Sequence, residues 1–365
     1  MRIISGNRLR FVWLICGLAV LFVFAAQARA TDLSGTYTTT QTINDDSRLT
    51  GDVTCAPTLL MAPCIVFGAS HIKLNLNGFT ITGPVDPKTD IAACSKPTDA
   101  TFGVGVEAID QNDIAIEGPG VIQHFERWGI LIRSSTAAKY VTHETVRKVT
   151  ATYNCWSGLQ IILVSDSRFE RNVWANNAIG SNGAACGGLC LSNSNRNTFS
   201  RSTYYGNGSL DYANGNVDFG IGLEGSSKDN VIEDNDVGGN TNGVAFFNTS
   251  SDNLVRRNII AGNPAAQVVK TFIAANQQGA DIAFRPNFAG ANNVFEDNFC
   301  LTYLPGGTSP TTAPCPNVST HGVEESANRP PNSSNPNRRK GTGASDIFAV
   351  AAVLLATAFR RIALG

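Results

Sequence analysis

A chain of 365 residues with 16% charged side chains, 42% hydrophobic ones and 35 glycines is long enough for one large domain or two small ones. The balance excludes an intrinsically disordered protein, which combines high charge with few apolar residues. The formal net charge is -1; because residues 1–30 hold Arg2, Arg8, Arg10 and Arg29 and no acid, the remainder is mildly acidic, and no nucleic-acid partner is expected.

Residues 1–30 read as a secretory signal peptide. Arg2, Arg8 and Arg10 form a basic start, Phe11 to Ala26 an apolar run, and Ala28-Arg29-Ala30 a small-x-small cleavage site before Thr31. An uncleaved membrane anchor is the alternative. Export bears on the cysteines. Cys16 leaves with the signal, and the even set Cys55, Cys64, Cys94, Cys155, Cys186, Cys190, Cys300 and Cys315 suits disulfides. Proximity pairs Cys55 with Cys64, Cys186 with Cys190 and Cys300 with Cys315, which leaves Cys94 for Cys155. Metal binding is the weaker reading, since no Cys-x-x-Cys occurs and no histidine lies near a cysteine pair.

Residues 31–68 carry little periodicity, and they are expected to cap an open sheet end. A repeat domain follows over residues 69–303. Ile72, Leu74 and Leu76 alternate with polar residues, as half-buried strands do, and Val104-Gly-Val-Glu-Ala-Ile and Asp113-Ile-Ala-Ile-Glu-Gly continue the theme. From Gly129 each unit opens with a glycine (once Asp281) and alternating apolar residues: Gly129-Ile-Leu-Ile, Gly158-Leu-Gln-Ile, Gly188-Leu-Cys-Leu, Gly220-Ile-Gly-Leu, Gly243-Val-Ala-Phe, Asp281-Ile-Ala-Phe. An asparagine corner follows, clearest in Asn230-Val-Ile-Glu-Asp-Asn235, Asn253-Leu-Val-Arg-Arg-Asn258 and Asn293-Val-Phe-Glu-Asp-Asn298.

Aligned, the units form columns. The opening strands stack Ile130, Leu159, Leu189, Ile221, Val244 and Ile282; the second strands stack Val141, Phe169, Phe199, Ile232, Val255 and Phe295; the third stack Val146, Trp174, Tyr204, Val237, Ile260 and Cys300. If one unit is one turn of a coil, equivalent residues lie about 4.8 Å apart, and corner asparagines can bond to the turns above and below. Insertions fall mainly after the third strand, at residues 178–187, 208–219 and 264–280, which points to a loop-built face. Residues 304–344 are rich in Pro, Ser and Asn and read as a linker. Residues 345–365 hold the apolar run Ile347 to Phe359 before Arg360-Arg361, a sorting or anchoring signal or else a terminal helix.

The Gly-φ-x-φ openings and Asn corners (φ, apolar) resemble the right-handed parallel β-helix proteins of the pectin-lyase-like superfamily, over roughly residues 65–303. The resemblance implies an all-β solenoid with three parallel sheets per turn and an internal ladder of Asn172, Asn235, Asn258 and Asn298, interrupted at Ser202 and carried by Glu144 in an earlier turn. Relatives of this kind include pectate lyases, polygalacturonases, alginate lyases and epimerases, phage tailspikes and non-enzymatic proteins. Their catalytic signatures are absent here: there is no Gly-His-Gly, no Trp-x-Asp-His and no Asp-Pro-His, although Asn216-Val-Asp218 matches an Asn-x-Asp.

The resemblance also places ligands on the outer face of the opening sheet. Alternation turns Arg133, Glu224, Phe247 and Arg285 outward there, and the loop before Gly220 adds Asp211, Tyr212 and Asp218. Asp218 and Glu224 suit an acid–base pair, and His124 with Glu126 stands at a corresponding corner before Gly129; these four are the catalytic candidates. Arg133, Asp211, Tyr212, Phe247 and Arg285 are the substrate-binding candidates. Solvated surface acids and an ordinary histidine are the plainer explanations. Calcium is a further use for such carboxylates, and no other cofactor is evident. Two functions stay open: an exported, envelope-associated protein that binds polysaccharide, with or without lyase or hydrolase activity, and a non-catalytic structural or adhesive β-helix.

Overall fold

The computed structural model describes residues 30–59, 62–89, 94, 103–178, 187–208, 219–263, 280–285, 287–305 and 314–315. The expected signal segment apart from Ala30, the tail 345–365, and the linker apart from Leu304, Pro305, Pro314 and Cys315 lie outside these residues. Among the described residues the chain is built from short strands, with one 3-10 turn at Pro57–Leu59.

One turn of the coil comprises Ser157–Ile162, Arg168–Glu170 and Val173–Ala175; the next comprises Gly187–Ser192, Thr198–Ser200 and Thr203–Tyr205. Each strand pairs in parallel with its counterpart one turn on, so that Leu159 lies opposite Leu189, Phe169 opposite Phe199 and Trp174 opposite Tyr204. The opening strands form a ten-stranded sheet, sheet 1, from Gln41–Ile43 to Tyr303–Leu304. The other strands form a sixteen-stranded sheet. It runs as one in the early turns, where Ala115–Gln123 and Thr145–Thr152 continue through the corner, and then forks into two arms, sheets 2 and 3. The fold is the right-handed parallel β-helix that the repeat implies.

Residues 31–68, expected as a cap, are themselves the first turns: Thr31–Tyr37 pairs with Ser47–Cys55, and Gln41–Ile43 pairs with Pro63–Phe67. Their polar, threonine-rich strands lack the glycine and asparagine signals of later turns, so periodicity alone did not reveal them. A second correction concerns register. Val146 faces Phe169 and Ala151 faces Trp174, while Val141 pairs with Val164 in a small extra sheet. The expected columns were therefore one strand out in that turn, because Val141–Thr142 precedes the corner instead of following it.

The interior is a stack of like on like. Phe169 and Phe199 lie parallel with centroids 4.9 Å apart, and Phe246 and Phe284 do the same at 5.1 Å. Such a pair adds about 0.5–1.5 kcal/mol beyond the area it buries. Three polar ladders run beside these stacks. In the middle one Val149 N donates to Asn172 Oδ1, Asn172 N to Ser202 Oγ, Ser202 N to Asn235 Oδ1, and the series continues through Asn258 to Asn298. Ser202 is thus a rung and not a gap, its hydroxyl donating in turn to Ser200 O. Glu144 belongs to a different ladder, with Ser167, Asn197, Asn230, Asn253 and Asn293. The third ladder is Asn154, Asn177, Asn207, Asn240, Asn263 and finally Asp281, whose Oδ1 accepts Asn263 N at 3.0 Å while its Oδ2 accepts Leu301 N and Thr302 N. Each ladder satisfies backbone N–H groups that the tight corners remove from the sheets.

Disulfides join Cys55 to Cys64, Cys94 to Cys155 and Cys300 to Cys315. Cys190 is also disulfide-bonded; its expected partner Cys186 lies outside the described residues.

Candidate functional site

The outer face of sheet 1 carries two files of side chains across its strands. The first runs Glu107, Leu131, Gln160, Cys190, Gly222, Ala245 and Ala283. From Leu131 onward it is buried and, Gln160 apart, small or apolar. The second runs Arg133, Ile162, Ser192 and Glu224, then Phe247 and Arg285 just beyond the paired residues Phe246 and Phe284. All six of these are half-buried. Alternation along each strand puts them outward, and the parallel register puts them in one line.

The line gathers four of the expected site residues. The Arg285 guanidinium lies 5.6 Å from the Phe247 ring centroid, a cation–π contact. Burial pulls the Arg285 guanidinium below its usual range and pushes the Glu224 carboxyl above its own. Arg133 lies three strands from Glu224, roughly 14 Å at the strand spacing. Asp211, Tyr212 and Asp218 lie outside the described residues, so the pairing of Asp218 with Glu224 has no described geometry.

His124 and Glu126 each have a partner of their own. His124 is a left-handed corner residue at φ 66°, with Nε2 3.7 Å from Asp86 Oδ1 and its ring edge-on to Tyr153, which in turn lies under the Lys88 ammonium. Burial, set against the Asp86 charge, lowers its pKa, so the neutral imidazole is favoured. Glu126 is buried and accepts Gly103 N at 3.4 Å; burial raises its pKa. Its contact with the backbone of another turn explains its position without catalysis.

Two features were missed from sequence. Glu107 faces outward beside Leu131; burial raises its carboxyl while the Arg133 charge opposes that rise. Alternation from Val104 was the signal that would have found it. The second is an aromatic corner: Trp128 and Trp156 meet edge to face at 5.7 Å, with the Arg127 guanidinium 4.3 Å from the Trp156 ring. Among the described residues no group of three or more His, Cys, Asp or Glu is placed to hold a metal ion.

A family profile described as a right handed beta helix region matches residues 128–314. No curated protein matches the chain by sequence. Among solved structures, the enzymatically active domain of bacteriophage CBA120 tailspike protein 2 superposes with a TM-score of 0.53 at 14% identity, over 78% of this chain and 42% of that one. The full-length tailspike protein 2 from an Escherichia coli O157:H7 bacteriophage gives 0.52 at 14% identity, over 77% and 38%. The mannuronan C-5 epimerase A-module of Azotobacter vinelandii gives 0.37 at 12% identity, over 80% and 92%. The chain spans about two fifths of the length of the tailspike chains, and the likeness is one of fold.

Proposed function

The chain belongs to the right handed beta helix region family, and from that premise we propose that it is an exported protein that binds polysaccharide along the outer face of sheet 1. The observation that carries this reading is the half-buried file in which Arg133, Glu224, Phe247 and Arg285 stand in register, with an aromatic ring beside polar and charged groups. Sugar recognition needs that mixture: apolar ring faces to stack on and polar groups to read hydroxyls. Trp156, half-buried at the far end, extends the aromatic surface. The two tailspike structures are alike to this chain in fold alone.

Binding without cleavage is the function favoured for the described residues. The two outward carboxyls of sheet 1, Glu107 and Glu224, are four strands apart, roughly 19 Å, whereas the carboxyl pairs of glycoside hydrolysis stand about 5–9.5 Å apart. Export rests on the basic, apolar and small-x-small pattern of residues 1–30 and is supported by the disulfides, which persist in oxidising compartments. Attachment to the envelope through residues 345–365 belongs to the same proposal. A panel of immobilised polysaccharides tests binding: Phe247→Ala should lose it with an unchanged melting temperature. Failure of the unmutated protein to bind any member would leave the non-catalytic structural β-helix as the better reading, and release of new reducing ends or unsaturated sugars would show it to be an enzyme.

A further inference from the structure

The corner between sheets 2 and 3 carries a column of left-handed residues. In three successive turns these are cations: Lys148 at φ 57°, Arg171 at 57° and Arg201 at 53°. The parallel register stacks them about 4.8 Å apart. All three are exposed, and none belongs to the ion pairs of the described residues. Asp234, the next residue of the column, is held by Arg257. Like charges stacked at strand spacing repel one another, so the column favours an anionic partner. Beside it lies the outer face of sheet 3, the arm that contains Val173–Ala175 and Thr203–Tyr205. One file of that face runs Val173, Thr203, Asp236, Ile259 and Phe299, of which Val173, Ile259 and Phe299 are exposed. Tyr205, in the next file, is 47% exposed. Apolar side chains exposed singly need no explanation. A file of them bordered by unpaired cations joins the two attractions that hold a protein to a charged bilayer, apolar contact and charge.

We propose that this side of the coil rests on an anionic phospholipid bilayer, with Lys148, Arg171 and Arg201 among the headgroup phosphates and Tyr205, Ile259 and Phe299 at the edge of the acyl region. The surface runs along the coil for five strand spacings from Lys148 to Phe299, roughly 24 Å. Tyrosine suits its place, because its ring sits in the apolar boundary while its hydroxyl stays among polar headgroups. The attraction is local to the column, since the chain apart from residues 1–30 is mildly acidic. The inference stands apart from the polysaccharide reading and leaves sheet 1 free for it.

The test is hydroxyl-radical footprinting of the full-length protein, read by mass spectrometry, with vesicles of phosphatidylcholine alone and of an equimolar mixture with phosphatidylglycerol. Labelling of Tyr205, Ile259 and Phe299 should fall as lipid is added, while labelling of Trp156 on sheet 1 stays constant. Half-protection should need about tenfold or less of the lipid concentration that neutral vesicles require, and raised salt should remove the difference. The triple variant Lys148→Gln, Arg171→Gln and Arg201→Gln should lose the protection at an unchanged melting temperature. Unchanged labelling of Tyr205, Ile259 and Phe299 on anionic vesicles would overturn the inference, even where the protein sediments with them, because attachment would then run through another part of the chain. Equal protection by neutral and anionic vesicles would overturn it too. Protection by soluble polygalacturonate and not by vesicles would give this side to a polysaccharide in place of a bilayer.

Discussion

Asn235 serves three partners through one amide. Its Oδ1 accepts Ser202 N at 2.9 Å, and its Nδ2 donates to Phe199 O and to Asn258 Oδ1, each at 3.0 Å. Asn235→Ala leaves a buried N–H and a buried carbonyl without partners, each worth about 1–3 kcal/mol, so a clear fall in melting temperature is expected. Asn235→Ser should cost less, because Ser202 shows that a hydroxyl can hold a rung; equal losses for the two variants would deny the ladder its role. Glu144 is a rung that titrates. Its Oε2 accepts Ile114 N at 3.1 Å, and burial pushes its carboxyl up to about 8 from 4.5. A raised folded value means that folding favours the proton. The stabilisation is full below about pH 4.5 and is lost as pH rises through about 8. Denaturant titrations across that window should show stability falling by at most about 1.4 kcal/mol per pH unit, with Glu144→Gln nearly flat. Parallel slopes would assign the titration to another group.

At the scale of the strand, the opening glycines are explained by the next turn. A Cβ on Gly188 would lie 2.5 Å from Gly220 O, 3.0 Å from Asn207 Nδ2 and 3.1 Å from Tyr204 Cδ1. Gly188→Ala should therefore destabilise by at least about 1–3 kcal/mol through overpacking against backbone; an unchanged melting temperature would mean that the turns separate easily. The corner motif has a similar cause. In Asn-φ-φ-x-x-Asn the fifth residue is left-handed, φ 57° at Asp234 and 52° at Arg257, and the asparagine after it bonds inward. These steric demands recur every turn, which is why the fold was legible from Gly129 onward. They are muted in residues 31–68, whose threonine-rich strands pair without the motif, and displaced where Val141–Thr142 intervenes. The site was legible in part. Alternation placed Arg133, Glu224, Phe247 and Arg285 outward, but burial of their neighbours Leu131, Cys190 and Ala245 depends on what packs over the sheet, which alternation cannot tell. Asp281 read as an irregular opening residue; that its side chain closes a ladder depends on residues twenty positions later, Leu301 and Thr302.

A coil that contacts only its neighbouring turns has no single cooperative core, so its ends should open before its middle. The last described turn, Val294–Glu296, Phe299–Cys300 and Tyr303–Leu304, has pairing partners on one side only, and Phe299 and Leu301 are 52% and 53% exposed. What restrains it is the Cys300–Cys315 disulfide, which closes a loop of 15 residues and on the chain-entropy account is worth about 3 kcal/mol. The double variant Cys300→Ala with Cys315→Ala should therefore fray the terminal turn and spare the interior. Hydrogen exchange followed by mass spectrometry reads this directly: exchange should quicken across residues 294–304, while the strand Ser157–Ile162, paired on both sides, keeps its protection. A uniform loss of protection along the coil would show that the turns open together and that the disulfide supports the molecule as one unit. Because Arg285 follows the strand Ile282–Phe284, which pairs with Tyr303–Leu304 of that last turn, the same variant should weaken ligand binding at the Phe247–Arg285 end of the file before the Arg133 end is touched.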